Sequence, residues 1–273
     1  MSRAGAPDPA YVRARGVLLD ALDALETQCD AIVLVGAQAI YWHTGDGDLA
    51  VAPYTTDGDL VIQPAALHPA PRIAEALERR GFTAGDQPGQ WIGRGGVVVD
   101  LMVPESLGGG GTRGARLGGH GNRAARKARG LEAAVVDYVS VQLTALEAED
   151  SRRLVVRVAG PAALLVAKLH KIAERVGQAG REDDKDALDV LRLLRHFPGD
   201  RIAADLQRLI ADEIAGPRTR EAMQHLEDLF SDATSPGSRM AARATELLED
   251  SETIARSSAV LAQDVLAACR PSA

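Results

Sequence analysis

Three short stretches decide the fold class of this chain: Leu34-Val-Gly36-Ala-Gln-Ala-Ile40, Thr55-Thr-Asp57-Gly-Asp59-Leu-Val61 and Val98-Val-Asp100-Leu-Met102. In the first stretch an apolar run, residues 31–35, ends at a glycine and is followed by a short helical pattern at 37–43. The other two stretches join aspartates to β-forming apolar runs. A buried strand, a glycine turn and a helix, followed by further strands, are typical of an α/β protein.

The aspartates of the second and third stretches predict a cluster of carboxylates at one edge of the sheet. Asp57 and Asp59 are two positions apart at the start of a strand, so an extended backbone points both side chains to one face. Asp100 belongs to an apolar run that we expect to form a neighbouring strand. Three clustered carboxylates repel one another, and Mg²⁺, which prefers hard oxygen ligands and phosphates, would neutralise them. Two such ions would clamp the attacking and leaving oxygens of a phosphoryl or nucleotidyl transfer.

The same residues have an ordinary interpretation as turns. Asp-Gly is a common turn pair, and Asp-Gly-Asp-Leu occurs twice, at residues 46–49 and 57–60. Neither copy completes a calcium-binding loop. We assign the first copy to a loop and favour the second as a site, because it lies between Gly36 and Asp100 along the chain.

The rest of the sequence divides into an α/β front and a helical back. Helical patterns cover the first 30 residues and residues 71–80, and strand patterns lie at residues 90–93, 96–103, 139–146 and 153–158. From residue 161 onward all patterns are helical, at 161–177, 182–196, 202–214, 219–230 and from 238. We predict an α/β domain at residues 1–158, with a mixed sheet flanked by helices, and an all-helical domain at residues 159–273.

Composition excludes several classes of protein. The 273 residues are 46% hydrophobic and 25% charged, which is an ordinary globular composition. No apolar run reaches the roughly 18–20 residues of a membrane span, and the first residues lack the features of a signal peptide. Two distant cysteines, Cys29 and Cys269, cannot build a disulfide framework, which fits a reducing compartment. We therefore expect a cytoplasmic protein that does not associate with membranes.

The segment of residues 106–130 stands apart in charge. It contains four consecutive glycines and no acid, and its six cationic residues are Arg113, Arg116, Arg123, Arg126, Lys127 and Arg129. Two interpretations stay open: a disordered surface insertion kept solvated by its like charges, or a mobile arm that contacts RNA phosphates. Because the segment has no aromatic residue, an RNA contact there would position the strand without reading its bases.

In their order and spacing these motifs resemble the nucleotidyltransferase superfamily, and within it the AbiEii-like toxin nucleotidyltransferases of bacterial toxin–antitoxin and phage-defence systems. That family has a Gly-Gly or Gly-Ser turn, then Ser/Thr-x-Asp-h-Asp, a later strand acid, a helical Lys-Leu-His and Arg-x-x-Lys-Asp-h-x-Asp. This chain shows Lys168-Leu169-His170, and residues 181–189 read Arg-Glu-Asp-Asp-Lys-Asp-Ala-Leu-Asp. The resemblance extends from about residue 31 to residue 194.

The resemblance implies an enzyme that uses Mg²⁺, with Mn²⁺ as an alternative ion, and an NTP as co-substrate. The implied metal ligands are Asp57, Asp59 and Asp100, the last of which would also help to deprotonate the acceptor hydroxyl. Lys168 would bind the triphosphate, and Asp186 would orient the triphosphate or the attacking hydroxyl. The implied nucleotide-binding residues are Gly36, Ala37, Thr55, Thr56, Lys168 and Lys171.

The chain departs from the family pattern at three positions. Ala37 takes the second place of the glycine turn, Pro53 stands where an Arg often precedes the first aspartate, and Gly58 replaces a large apolar residue. These departures bear on nucleotide affinity, and none of them removes an acid.

The implied reaction is transfer of an NMP to an RNA 3′ end, such as a tRNA acceptor stem, by a toxin that has a cognate antitoxin as partner. Two alternatives stay open. A small-molecule nucleotidyltransferase, for example one that modifies an antibiotic hydroxyl, would use the same acids without needing the basic segment. A non-catalytic binding module would keep the fold alone. The sequence leaves the nucleobase, the acceptor and the oligomeric state undetermined.

Overall fold

The strands around the acidic residues form the centre of one mixed sheet. The computed structural model describes residues 7–45, 54–178 and 184–270. Its strands are β1 (Ile32–Val35), β2 (Asp57–Ile62), β3 (Thr83–Ala84), β4 (Gln90–Ile92), β5 (Val98–Pro104), β6 (Arg126–Ala128), β7 (Tyr138–Thr144) and β8 (Arg153–Ala159). Their order in the sheet is β3-β4-β5-β2-β1-β8-β7, and β6 pairs with the end of β5. The pairs β1–β8, β2–β5 and β5–β6 are parallel, and the remaining pairs are antiparallel.

Helices flank the sheet and make up the C-terminal part. Within the described residues they are α1 (Pro9–Ala24), α2 (Gly36–Thr44), α3 (Ile73–Arg79), α4 (Pro161–Arg175), α5 (Asp184–His196), α6 (Gly199–Ala211), α7 (Gly216–Phe230), α8 (Pro236–Arg243) and α9 (Ser251–Cys269). The prediction of a mixed sheet with flanking helices and a helical C-terminal part is therefore confirmed. None of these helices combines the length and the apolar character that a membrane span requires.

The register of β1 and β2 positions the acidic residues. All four residues of β1 are apolar and buried, so this strand lies inside the sheet between β2 and β8. Antiparallel pairing places Val35, the last residue of β1, opposite Asp59. The turn from β1 into α2 therefore lies directly beside the acidic start of β2.

Several boundaries differ from the predictions. The first helix ends at Ala24 and continues as a 3-10 turn, and the short strands β3 and β6 are not visible in the sequence pattern. The helical pattern from residue 238 is two helices, α8 and α9. The first ends at Arg243, and Asp250 begins the second, because its carboxylate accepts a hydrogen bond from the backbone N of Thr253 at 2.8 Å and so caps the new helix.

The glycine-rich basic segment is folded against the sheet, so the expectation of a mobile arm or a disordered insertion is wrong. Ala115, Leu117, Ala124 and Ala125 of this segment are buried. The backbone N of Ala115 donates to the carbonyl of Ala125 at 2.9 Å, and β6 pairs with β5. The sequence pattern does not indicate this packing, because the buried apolar residues are only three alanines and one leucine among glycines and arginines.

The sheet and the C-terminal helices share one continuous cluster of buried side chains. His43 of α2 donates through Nε2 to the carbonyl of Ala159 at 2.8 Å, and Arg129 forms an ion pair with Glu221 of α7 at 2.8 Å. The division into domains at residues 1–158 and 159–273 stays a prediction.

Candidate active site

The carboxylates of Asp57, Asp59 and Asp100 lie on neighbouring strands and line one cleft. The parallel register of β2 and β5 pairs Asp59 with Asp100, and Asp57 lies two residues before Asp59 on the same face. All three residues are half-buried and face a cleft of about 790 Å³. The structure therefore brings together the three acids that the sequence grouped.

Gly36 allows the turn after β1 to approach Asp59. Its φ is +69°, a left-handed conformation that favours glycine. A Cβ at this position would lie 2.0 Å from Oδ2 of Asp59, closer than two non-bonded atoms can approach. Gly36 is also the first residue of α2 and lines the cleft, so the amides at this helix end lie near the acids.

A chain of buried hydrogen bonds holds the start of β2. Gln38 donates through Nε2 to the backbone carbonyl of Asp57 at 2.8 Å, and Arg15 donates through Nε to Oε1 of Gln38 at 2.8 Å. The hydroxyl of Thr55 donates to Oδ1 of Asp57 at 2.5 Å. Because Thr55 is buried and does not line the cleft, it acts on the site through Asp57.

The environment of Asp59 disfavours its ionised form. Burial raises the pKa of Asp59 to about 6, and the neighbouring carboxylates of Asp57 and Asp100 contribute in the same direction. Lys171 and Lys168 oppose this by lowering the pKa. The negative charge at this edge of the sheet is therefore only partly compensated by the protein.

The acids offer suitable chemistry for a divalent cation without forming a closed ligand set. Carboxylate oxygens are the ligands that Mg²⁺ prefers, and the repulsion that raises the pKa of Asp59 is what a cation would relieve. In the described part of the chain, no group of three His, Cys, Asp or Glu side chains is arranged to hold a metal ion. Arg126 of β6 lies with Nη2 at 3.3 Å from Oδ2 of Asp100, so a guanidinium faces one of the carboxylate oxygens.

Lys168 of α4 lies in a buried ion cluster. Its Nζ is 2.7 Å from Oδ1 of Asp186 and 2.7 Å from Oδ2 of Asp189. Burial alone would lower the pKa of Lys168, but the carboxylates of Asp189 and Asp186 raise it well above its ordinary value. Lys168 is therefore a permanent cation in the wall of the cleft, and two carboxylates of the protein already neutralise it.

Lys171, one helical turn further along α4, is the more accessible lysine. Its Nζ is 2.9 Å from Oδ1 of Asp186, but its side chain is 40% exposed and lines the cleft. Asp186 is buried outside the cleft lining, and although burial opposes it, Lys168 and Lys171 lower the pKa of its carboxyl. Asp186 thus fixes the positions of both lysines.

Only three of the six predicted nucleotide-binding residues line the cleft. Gly36, Lys168 and Lys171 line the cleft, whereas Ala37, Thr55 and Thr56 do not. Pro53, Arg181 and the first Asp-Gly-Asp-Leu copy at 46–49 lie outside the described residues. Gly58 replaces the family's large apolar residue at a position packed closely against α1, where a Cβ would lie 3.1 Å from Cδ1 of Leu18.

The six cations of the basic segment separate into two groups. Arg126, Lys127 and Arg129 line the cleft together with the acids. The other three, Arg113, Arg116 and Arg123, line a second cavity. The sequence treated all six as one surface, and the pairing of β6 with β5 is what divides them.

Sequence reasoning missed several residues that shape the site. Arg15 and Gln38 are buried polar residues whose roles follow from long-range contacts, and no local pattern indicated them. Asp189, the last residue of the motif at 181–189, is buried with Oδ2 at 2.7 Å from Nζ of Lys168, a contact that the motif did not indicate. His170 was noted only as the neighbour of Lys168 in sequence. It lines the cleft, donates through Nε2 to the carbonyl of Arg218 at 2.8 Å and has its pKa lowered by burial.

The chain matches no protein-family model, no curated protein and no solved structure.

Proposed function

We propose that this protein is a Mg²⁺-dependent nucleotidyltransferase that moves an NMP from an NTP to the hydroxyl of an RNA 3′ end. The observation that carries the proposal is the composition of one cleft. Carboxylates of β2 and β5 and cations of β6 and α4 line the same cleft, together with the acids Glu105 and Glu174. Such a cleft suits a metal-bound, polyanionic substrate.

Asp57 and Asp59 would hold the metal, and Asp100 would complete the ligand set. Bound there, Mg²⁺ or Mn²⁺ would stabilise the charge that develops on the phosphate oxygens during transfer. Asp100 would also accept the proton of the acceptor hydroxyl. The acceptor oxygen forms a bond to the α-phosphorus, the bond from that phosphorus to the bridging oxygen breaks, and pyrophosphate leaves.

The cations of the cleft would bind the triphosphate. Lys171 and Arg126 offer charge-assisted hydrogen bonds to phosphate oxygens, and the amides after Gly36 lie at a helix N-terminus, which favours anions. Lys168, whose charge is neutralised by Asp186 and Asp189, would act on the triphosphate only indirectly, by holding Asp186 in the position from which Asp186 orients Lys171.

The resemblance to the AbiEii-like toxins supports the choice of acceptor. It favours a tRNA end as the acceptor, a cytoplasmic toxin as the biological role and a cognate antitoxin as the partner. Three cations of the basic segment, Arg126, Lys127 and Arg129, lie in the same cleft as the acids and would contact the acceptor strand near the point of transfer.

A second candidate is a non-catalytic anion-binding module with the same fold. Two observations favour it: no metal-holding group is preformed among the described residues, and Arg126 is hydrogen bonded to Asp100. In this case the cleft would bind a nucleotide without transferring it.

Labelled NTPs distinguish these functions. We expect wild-type protein, incubated with each α-labelled NTP, total RNA and Mg²⁺ or Mn²⁺, to label RNA with one or more nucleotides. Asp57→Asn should abolish labelling, whereas Asp228→Asn, which changes an acid outside the cleft lining, should not. Nucleotide binding without labelling would favour the binding module. Labelling of an aminoalcohol or sugar hydroxyl in place of RNA would favour the small-molecule enzyme.

A further inference from the structure

The basic segment forms a second cavity of about 450 Å³, apart from the acidic cleft. Its charged lining residues are all arginines: Arg113, Arg116 and Arg123. The other lining residues are uncharged, and among the described residues no acid lines this cavity; they are Pro88, Gly110, Gly111, Thr112, Gly114 and Asn122. Positive charge is therefore concentrated in a concave surface that the protein itself does not neutralise.

The hydrogen bonds of these arginines leave their charges uncompensated. Arg113 donates through Nη1 to Oε1 of Gln87 at 2.8 Å, and Arg123 donates through Nη2 to the carbonyls of Gly85 and Asp86 at 3.2 Å. These acceptors are neutral amide oxygens. The guanidinium of Arg116 has no hydrogen bond or ion pair with another described residue. The geometry thus offers fixed donors and one free guanidinium to an anion.

A third cavity connects this basic cavity with the acidic cleft. It has a volume of about 330 Å³ and shares Arg113 with the basic cavity. It also shares Asp100, Arg126, Lys127 and Glu174 with the cleft. A chain with repeated negative charges could therefore follow arginines and a lysine from the second cavity to the acids.

We propose that Arg113, Arg116 and Arg123 form a binding site for consecutive backbone phosphates of a single-stranded polynucleotide whose end reaches Asp100. The inference rests on the proposed transferase function for the identity of that end. A single free anion would use one cavity, whereas three connected cavities with spaced cations match a repeating polyanion. None of the residues that line the second cavity is aromatic, so binding there is independent of base sequence.

The test measures RNA binding under conditions in which nucleotidyl transfer cannot take place. The probe is a fluorescently labelled single-stranded RNA of about ten nucleotides, compared with a dinucleotide, and anisotropy is measured over a range of salt without NTP or divalent metal. The variant is Arg113→Gln/Arg116→Gln/Arg123→Gln, and Arg116→Gln alone serves as a variant that breaks no side-chain hydrogen bond or ion pair among the described residues. The charge-matched control is Arg72→Gln/Arg79→Gln/Arg256→Gln, which changes exposed arginines elsewhere.

We expect the triple variant to lose about 10- to 100-fold in affinity for the longer strand at about 0.1 M salt, with a salt slope lower by about 2. Arg116→Gln should lower the slope by about 0.7, and affinity for the dinucleotide should change by less than about 2-fold. Equal losses in the control triple, or unchanged slopes in all variants, would overturn the site. A loss of pyrophosphate or NTP binding with intact RNA binding would also overturn it, in favour of a small-anion site.

This binding experiment and the labelling assay together separate the inference from the transferase proposal. If no NTP labels RNA but the triple variant shows the expected loss of slope, the polynucleotide site stands and the enzymatic function fails. If labelling occurs and the slopes do not change, the transferase stands and the polynucleotide site fails.

Discussion

Asp59 carries a charge that opposes folding, and this allows a test of the site that does not depend on activity. Its pKa in the folded protein is about 6, above the ordinary value of 3.8, so the folded state favours the protonated form. The free energy of unfolding should therefore fall as pH rises from about 4 to 6 and then stay low. We expect Asp59→Asn to be more stable than wild type by about 1–3 kcal/mol at pH 7, and this difference should fall to about 0.5 kcal/mol near pH 4. Urea unfolding at several pH values measures this.

Asp150 is the matched control because its pKa is shifted in the opposite direction. Hydrogen bonds from Arg152 lower the pKa of Asp150 to about 2, so its ionised form stabilises the folded protein above that pH. Asp150→Asn should therefore be less stable than wild type at pH 7. If Asp59→Asn is destabilised as well, the acids do not repel one another as the structure indicates.

The effect of Mg²⁺ on the melting temperature is a second measurement that tests the role of Asp59. If the acids hold the ion, Mg²⁺ should raise the melting temperature of wild type in the absence of nucleotide, because a ligand that binds only the folded state stabilises it. Asp59→Asn should lose most of this shift.

Substitution of Lys168 should mainly lower stability, whereas substitution of Lys171 should mainly weaken nucleotide binding. Lys168→Met leaves Asp186 and Asp189 buried without their shared cation and should cost about 3–5 kcal/mol. Lys171 is 40% exposed, so Lys171→Met should change stability by only about 0–1 kcal/mol. Loss of its hydrogen bond to phosphate should weaken NTP binding by about 10- to 100-fold. Urea unfolding and calorimetric NTP titration measure the two effects, and wild-type stability of Lys168→Met would contradict the assignment.

The short strand β6 connects the basic segment to the acids, and its Arg126 is the contact to test. Nη2 of Arg126 lies 3.3 Å from Oδ2 of Asp100, so a positive charge stands beside this proposed metal ligand. We expect Arg126→Gln to lower the Mg²⁺ concentration needed for half of the thermal stabilisation by about 3- to 10-fold, since about 1 kcal/mol of competition is removed. NTP binding should weaken at the same time.

Arg116→Gln is the control for that experiment because Arg116 lines the second cavity and neither of the two cavities that contain Asp100. It should leave the Mg²⁺ midpoint within about 2-fold of wild type. The idea that Arg126 competes with the metal fails if both variants shift the midpoint equally.

The elements that sequence reasoning located are those with regular patterns over long stretches. The apolar run of β1, the alternation that places Asp57 and Asp59 on one face and the helices from α4 onward are local properties of the chain. The strand β6 has no such pattern, since its three residues, Arg-Lys-Ala, pair with β5 only because Ala115 and Ala125 anchor the segment. The basic residues were visible, but their separation into two groups depends on that long-range pairing.

The same limit applies to the polar interior of the molecule. The ion cluster of Lys168 joins α4 to α5, and the hydrogen bonds of Arg15 and Gln38 join α1 to α2 and β2. Each side chain alone looks like an ordinary polar residue of a helix. Its role follows from which helices pack together, and the spacing of apolar residues indicates that each helix is buried without indicating its neighbour.

The whole chain should unfold as one unit, although its sequence divides into an α/β front and a helical back. One continuous buried cluster joins the two parts, and residues on both sides of the boundary are bonded across it, as in the ion pair of Arg208 with Asp137 at 3.0 Å. The cleft itself takes its acids from β2 and β5 and its lysines from α4. Separating the two parts would expose buried apolar side chains to water and would break the hydrogen bond that His43 of α2 donates to the carbonyl of Ala159.

Two spectroscopic probes report on the two parts separately. Both tryptophans, Trp42 and Trp91, lie in the front, whereas most of the helical residues lie in α4–α9. We expect tryptophan fluorescence and far-ultraviolet circular dichroism to give the same urea midpoint and the same slope, because a single cooperative unit loses both signals together. Lys168→Met should move both midpoints by the same amount. Two separate transitions, with only the dichroism midpoint shifted by Lys168→Met, would instead show that the predicted domains fold independently and that the cleft is an interface between them.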